Sequence, residues 1–256
     1  SALGGVSTHS IINLNSGASV GAGSGDAIRN DEGTSAVTVN SGAAVTGTIK
    51  LGSGNDTLTF DGGDFSGVTN FDGGDDTDTL TFKGVTGTVA GGDVNNFESV
   101  VVDTGSDVTF SGTLSTGQFT ATNTGSGAMK VTSTGSIEST AGRGIDAFND
   151  TGGTDLIISA NDVTGAQRGS HARNAGTGDV TVTATGDVTG TLFQGVYVRN
   201  LAAGGDVSVD AHNVTGTFDG IAARSLSDGT ISVAATGHVE GGYGGNNFDG
   251  ITAYNI

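Results

Sequence analysis

In the second half of the chain, apolar and polar positions alternate in short bursts divided by Gly, Asn and Asp, and the bursts return in a fixed order. One burst reads RGIDAFN at residues 143–149, RGSHARN at 168–174, QGVYVRN at 194–200 and DGITAYN at 249–255. Within it Ile145, Ser170, Val196, Ile221 and Ile251 share one position, and Ala147, Ala172, Val198, Ala223 and Ala253 share the next but one. A period of two puts both positions on the same side of a strand. A second burst (DLIIS, DVTVT, DVSVD, TISVA) aligns Leu156/Ile158, Val180/Val182, Val207/Val209 and Ile231/Val233, and AVTVN at 36–40 reads as its N-terminal cousin. The third burst is the valine of Val163-Thr164-Gly165, Val188-Thr189-Gly190 and Val214-Thr215-Gly216, followed by Val239, at spacings of 25, 26 and 25. Val20 and Val45 repeat the 25-residue step near the N-terminus.

Three short strands per unit, turned by Gly, Asn and Asp, with the same residue type at the same phase of each unit, predict an all-β, three-faced parallel β-solenoid. About ten coils of roughly 25 residues stack their Val, Ile and Ala columns into one interior, each strand ~4.8 Å from its copy. A sandwich of short strands would not require that phase relation. Residues 1–256 thus read as one unit, with regular coils at 1–50 and 136–256. Between them, 51–135 keeps strand-like runs such as TLTF at 57–60 and 79–82 but loses the strict period, which predicts irregular coils with Gly-Asp turns.

Composition narrows the picture. Gly contributes 48 residues, while Pro, Cys and Trp are absent, so there are no disulfides and no thiolate metal sites. The net charge of −18 repels nucleic acid and anionic lipid, and no apolar run approaches the ~18 residues of a membrane helix.

Two columns carry candidate chemistry. The burst ends in Asn149, Asn174, Asn200, Ser225 and Asn255, with Asn30 and Asn123 at matching points. Stacked amides at a corner accept φ > 0 and bond their own copies, a structural reading. One position earlier stand Phe148, Arg173, Arg199, Arg224 and Tyr254, with Arg29 as their N-terminal counterpart and Tyr197 on the same face. Like charges ~5 Å apart repel by about 1 kcal/mol when exposed, and Asp146 or Asp219 are positioned to offset them. Arg forks hold carboxylates and sulfates, and aromatic faces stack on sugars, so this column is a candidate stripe for an anionic or sugar-bearing partner. The longer loop at 241–250 adds Tyr243 and Phe248 to the candidate binding residues.

GSGNDTLTF at 52–60 fits most of the glycine-aspartate calcium repeat, and GGDDTDTLTF at 73–82 has Asp76 in place of its third glycine. Asp56, Asp76 and Asp78 are therefore candidate calcium ligands, although the copies lie 22 residues apart and not in tandem, which favours plain Gly-Asp turns. Otherwise no cofactor is expected. The four histidines occupy different phases of the repeat, and neither a G-x-S-x-G elbow nor an H-E-x-x-H helix occurs. Asp75, Asp76 and Asp78 would be the acids of a polysaccharide-cleaving solenoid, but the reading is of a protein that is not an enzyme.

The 25-residue coils with DVTVTATGDVTG, the turn NSGAAVTGTI at 40–49 and the stretch LGSGNDTLTFDGGDFSGVTNFDGGDDTDTLTF together resemble the passenger domain of a Gram-negative autotransporter (type V secretion). The resemblance spans nearly the whole chain and implies a right-handed parallel β-helix, secreted unfolded and displayed on the bacterial cell surface or released. It further implies a fragment of a longer passenger, anchored to the outer membrane through a C-terminal translocator outside this sequence, and an adhesin that attaches to host matrix protein, glycan or surfaces through its outer faces. Self-association driving aggregation and biofilm, and a passive stalk, are the alternatives. Ice binding would need regular Thr ranks on one face, and the outer positions vary too much for that.

Overall fold

The computed structural model describes residues 9–201, 204–242 and 248–255. Strand follows strand along the chain, and each pairs in parallel with its counterpart one turn later, giving a right-handed parallel β-helix. Its longest continuous face is an eleven-stranded sheet running from His9–Leu14 to Ile251–Asn255. All the strands of the opening burst lie in this first sheet, with Ile145 opposite Ser170, Ser170 opposite Val196, Val196 opposite Ile221 and Ile221 opposite Ile251.

The other two bursts form the second sheet. The pairs Leu156/Ile158, Val180/Val182, Val207/Val209 and Ile231/Val233 stack in register, as do Val163, Val188, Val214 and Val239. These two faces join in the long strands Val180–Gly190 and Val207–Gly216, where the pairing shifts between Ala184 and Asp187. A smaller sheet of Ser19–Arg29, Ala44–Lys50, Asp64–Asp72 and Val94–Asn95 covers the N-terminal turns.

Three sequence assignments change. The AVTVN segment belongs to the first sheet, where Val37 pairs with Ile12 and Leu58, and is not a cousin of the second burst. Val20 and Val45 do pair, but in the small sheet. Arg29 and Asn30 follow them there, Arg29 opposite Lys50, so neither belongs to the columns of the opening burst. The alternation of apolar residues is local, and it matched these segments to the wrong face because all faces share a period of two.

Residues 51–135 continue the first sheet without a break. Their turns are shorter, Leu58, Leu80, Val100 and Phe119 being successive neighbours, and their interior is filled by aromatic rings. Phe60 stacks on Phe82 at 6.0 Å, and Phe65, Phe71 and Phe110 meet Phe82 edge-on at 5.1–6.2 Å. In the C-terminal turns the interior narrows to Val, Ile and Ala, with Ala147, Ala172, Val198 and Ala223 fully buried.

The terminal asparagines of the burst point inward. Asn149, Asn174 and Asn200 are fully buried at the ends of their strands. Asn123 Nδ2 donates to Asn149 Oδ1 at 2.8 Å, and Asn149 Nδ2 to Asn174 Oδ1 at 3.0 Å. Asn174 and Asn200 both donate to the Gly178 carbonyl. The ladder is structural, as expected, but it lies in extended backbone: among described non-glycine residues only Asp76 and Asn96 have positive φ.

Candidate functional site

The outer surface of the first sheet between residues 143 and 225 is built by four consecutive turns. Each begins with a glycine lying against the valine of the third face. A Cβ on Gly169 would stand 2.5 Å from Val188 Cγ1 and 2.6 Å from the Gly195 carbonyl oxygen, so only glycine lets the chain enter the strand there. The residue before that glycine is Arg143, then Arg168, then Gln194. Arg168 Nε donates to Gln194 Oε1 at 2.9 Å.

Two outward columns follow. One holds Asp146, His171, Tyr197 and Ala222, and the other Phe148, Arg173, Arg199, Arg224 and Tyr254. Within the arginine stack, Arg173 and Arg224 lie against aromatic rings. The Arg173 guanidinium lies 4.3 Å from the centre of the Phe148 ring. Arg224 lies between Tyr197 and Tyr254, at 5.4 and 4.9 Å, and Arg168 between Phe193 and Tyr197, at 5.1 and 4.9 Å. Each such contact contributes roughly 0.5–1 kcal/mol on an exposed surface. A guanidinium held by a ring face keeps its N–H edge available for a carboxylate or sulfate.

Asp146 offsets a different arginine from those expected. Its carboxylate takes a short ion pair from Arg143 and a 2.7 Å hydrogen bond from His171 Nδ1. Burial pushes this carboxyl up, but the His171 hydrogen bond and the nearby Arg143 charge outweigh it and hold it below the ordinary carboxylate range. Burial also holds His171 below the usual imidazole range, against the pull of Asp146. Since an ionised carboxylate only accepts, the proton sits on Nδ1 of a neutral ring, which leaves Nε2 unprotonated. The His171 and Tyr197 rings are 5.3 Å apart. Burial, then the neighbouring Arg143, draws Arg168 down from its ordinary value, though it remains a cation.

Beside these columns Phe193 stacks on Phe218 at 5.5 Å, Phe248 meets Phe218 at 4.5 Å with its ring tilted by 51°, and Phe248 is 41% exposed. The face therefore gathers Phe148, Arg173, Tyr197, Arg199, Arg224, Tyr254 and Phe248, as the sequence suggested. Arg29 is the exception: it sits on the small sheet, paired with Asp31 at 2.8 Å and Asp26 at 3.4 Å. Tyr243 lies outside the described residues. Sequence reasoning missed Arg143, Arg168, His171 and Phe193, although the same alignment that stacks Ile145 on Ser170 also stacks Arg143 on Arg168 and Asp146 on His171. Five of the chain's six arginines stand on this one face.

The Gly-Asp turns form a separate ladder. Asp78 Oδ1 accepts the Asp56 N–H at 2.7 Å, Asp56 Oδ1 accepts the Ser35 N–H, and Glu98 Oε2 accepts the Asp78 N–H at 2.7 Å. Asp56 and Asp78 are buried, with their Oδ2 atoms lacking a hydrogen-bond partner. Burial raises both carboxyls, that of Asp78 to about 7, where the nearby carboxylates of Asp56, Glu98 and Asp76 add to the effect. Asp76 stands where the preceding turn has Gly54, and both have positive φ, 83° and 114°. Its Oδ2 accepts the Gly54 N–H at 3.2 Å. These three acids thus hold backbone between turns, and among the described residues no group of three or more His, Asp or Glu side chains is arranged to hold a metal ion.

Comparison with protein families, curated proteins and solved structures gives no match for this chain.

Proposed function

We propose that the chain is the β-helical shaft of a bacterial cell-surface adhesin of the autotransporter-passenger kind, binding an anionic glycan along the arginine and aromatic face of its first sheet. The observation that carries this reading is the concentration of five of six arginines on one face of a chain whose net charge is −18. Three of them lie against aromatic rings at 4.3–5.4 Å. Successive turns repeat the charge every ~4.8 Å, a spacing suited to a linear polymer lying along the helix axis. Ring faces contribute stacking to sugars and guanidinium edges contribute paired hydrogen bonds to carboxylates or sulfates.

The test presents the purified chain to immobilised heparin, alginate, polygalacturonate and neutral dextran, with light scattering on the same sample. Binding to the anionic polymers that weakens as salt rises, and none to dextran, supports the reading. Equal binding to dextran, or none to any polymer, overturns it. Concentration-dependent dimers without glycan binding would point to self-association instead, and neither result to a passive stalk.

A further inference from the structure

We propose that Asp146, His171, Tyr197 and Arg168 form a reaction centre that cleaves a bound uronate polymer by β-elimination, an inference that rests on the anionic-glycan reading above. Three observations converge on it. His171 is braced through Nδ1 by Asp146 at 2.7 Å, which fixes the ring and turns its unprotonated Nε2 to the task of a base. Tyr197, the residue paired with it on the next turn, brings a hydroxyl to the same column, its ring 5.3 Å from the imidazole. Arg168 lies 4.9 Å from the centre of the Tyr197 ring and supplies a fixed positive charge beside both.

Elimination is the chemistry this set allows. Hydrolysis of a glycosidic bond ordinarily uses two carboxyl groups flanking it, and between residues 145 and 225 the two outward columns contain one, Asp146, already engaged with Arg143 and His171. Elimination needs a base, an acid and a neutraliser for the uronate carboxylate, and it consumes neither water nor cofactor. Arg168 holds the carboxylate and stabilises the charge that develops next to it. His171 Nε2 removes the proton on C5, the C–H electrons become the C4–C5 double bond, and the C4–O bond breaks. Tyr197 gives its hydroxyl proton to the departing oxygen. The products are a 4,5-unsaturated uronate end and a new reducing end, and the proton on His171 returns to the tyrosinate to reset the site. Asp146 is a positioning residue, acting through the imidazole. The charged and titratable groups acting on His171 are Asp146, Arg143 and Arg168.

The experiment incubates the whole chain with alginate and with polygalacturonate, and follows ultraviolet absorbance of unsaturated ends, polymer length and binding in parallel. The wild type is expected to shorten at least one polymer and generate unsaturated ends. His171→Gln and Tyr197→Phe should each slow this by about 100-fold or more with binding retained, the Phe ring preserving the stack on Arg168. Asp146→Asn should move the acid limb of the pH profile, a change that lost packing alone does not produce. Binding of polymer whose length stays unchanged overturns the proposal and leaves the adhesin reading intact. Cleavage that persists in both variants overturns the assignment of residues, and absence of both binding and cleavage overturns the two readings together. Melting curves of each variant separate lost chemistry from lost fold.

Discussion

The first sheet presents the same two outward columns along its whole length, yet its N-terminal and C-terminal turns use them differently. In the N-terminal turns the columns read Thr38, Thr59, Thr81, Val101, Thr120 and Asn40, Asp61, Lys83, Asp103, Thr122. There the surface is threonine with isolated ion pairs, such as Lys83–Asp61 at 3.0 Å. Beyond residue 145 the same columns read Asp146, His171, Tyr197 and Phe148, Arg173, Arg199, Arg224. The interior changes in the opposite sense, from interlocked phenylalanines to alanine and valine backed by an asparagine ladder. Large side chains therefore stabilise the shaft from inside in the first half and are spent on the outside in the second. The backbone pairing is continuous through both, so the difference lies in side-chain chemistry and not in architecture.

The widest gap between the halves should appear in the core. Phe82→Ala removes a ring that meets four others, Phe60, Phe65, Phe71 and Phe110, and is expected to cost about 3–5 kcal/mol. Ala172→Gly at the matching sheet in the second half should cost only about 0.5–1 kcal/mol; equal losses in denaturant unfolding would remove the distinction. Next comes the ladder that replaces the rings. Asn149→Ala strips Asn123 of an acceptor and Asn174 of a donor, for an expected loss of about 1–3 kcal/mol per group left unpaired, whereas a loss below ~0.5 kcal/mol would show that the amides merely fill space.

The acid ladder of the first half gives a pH signature opposite in sign to that of the second half, where the depressed Asp146 and His171 contribute stability that is lost as pH falls. Asp78 has its native value raised to about 7, above its unfolded value near ~3.9. The native state therefore holds the proton more tightly, and the stabilisation is fully present below the unfolded value and lost as pH rises through about 7. Thermal melting should fall between pH 5 and pH 8, and Asp78→Asn, which keeps an oxygen for the Asp56 N–H, should flatten that slope. A slope unchanged in the variant would assign it elsewhere. The smallest effect belongs to the surface: Lys83→Ala, which breaks one exposed ion pair, should leave the melting point at the wild-type value, and a clear drop would show that the pair matters to the fold.

The fold was legible because a solenoid writes its period into the chain, so that Ile145, Ser170, Val196 and Ile221 announce their own stacking. What failed were the segments where two faces share the same alternation: AVTVN and Arg29 were matched by local pattern, and only the pairing along the axis separates them. The stripe from Phe148 to Tyr254 was legible for the same reason as the core. The His171–Asp146 pair was not, because comparing histidines only with one another overlooks that a column mixes residue types. The depth of the Asp56 and Asp78 carboxyls was hidden too, since a Gly-Asp turn looks alike whether its acid faces solvent or the backbone of the turn before.

The proposed glycan site belongs to the C-terminal columns and not to the N-terminal ones. Calorimetric titration of heparin into the wild type, into the triple variant Arg173→Ser, Arg199→Ser, Arg224→Ser, and into the same-column control Asp61→Ser, Lys83→Ser, Asp103→Ser tests it directly. The arginine variant is expected to lose at least about 100-fold in affinity, with a melting point lowered only by its lost ring contacts, and the control to bind no more weakly than wild type. Wild-type affinity in the arginine variant would contradict this placement of the site.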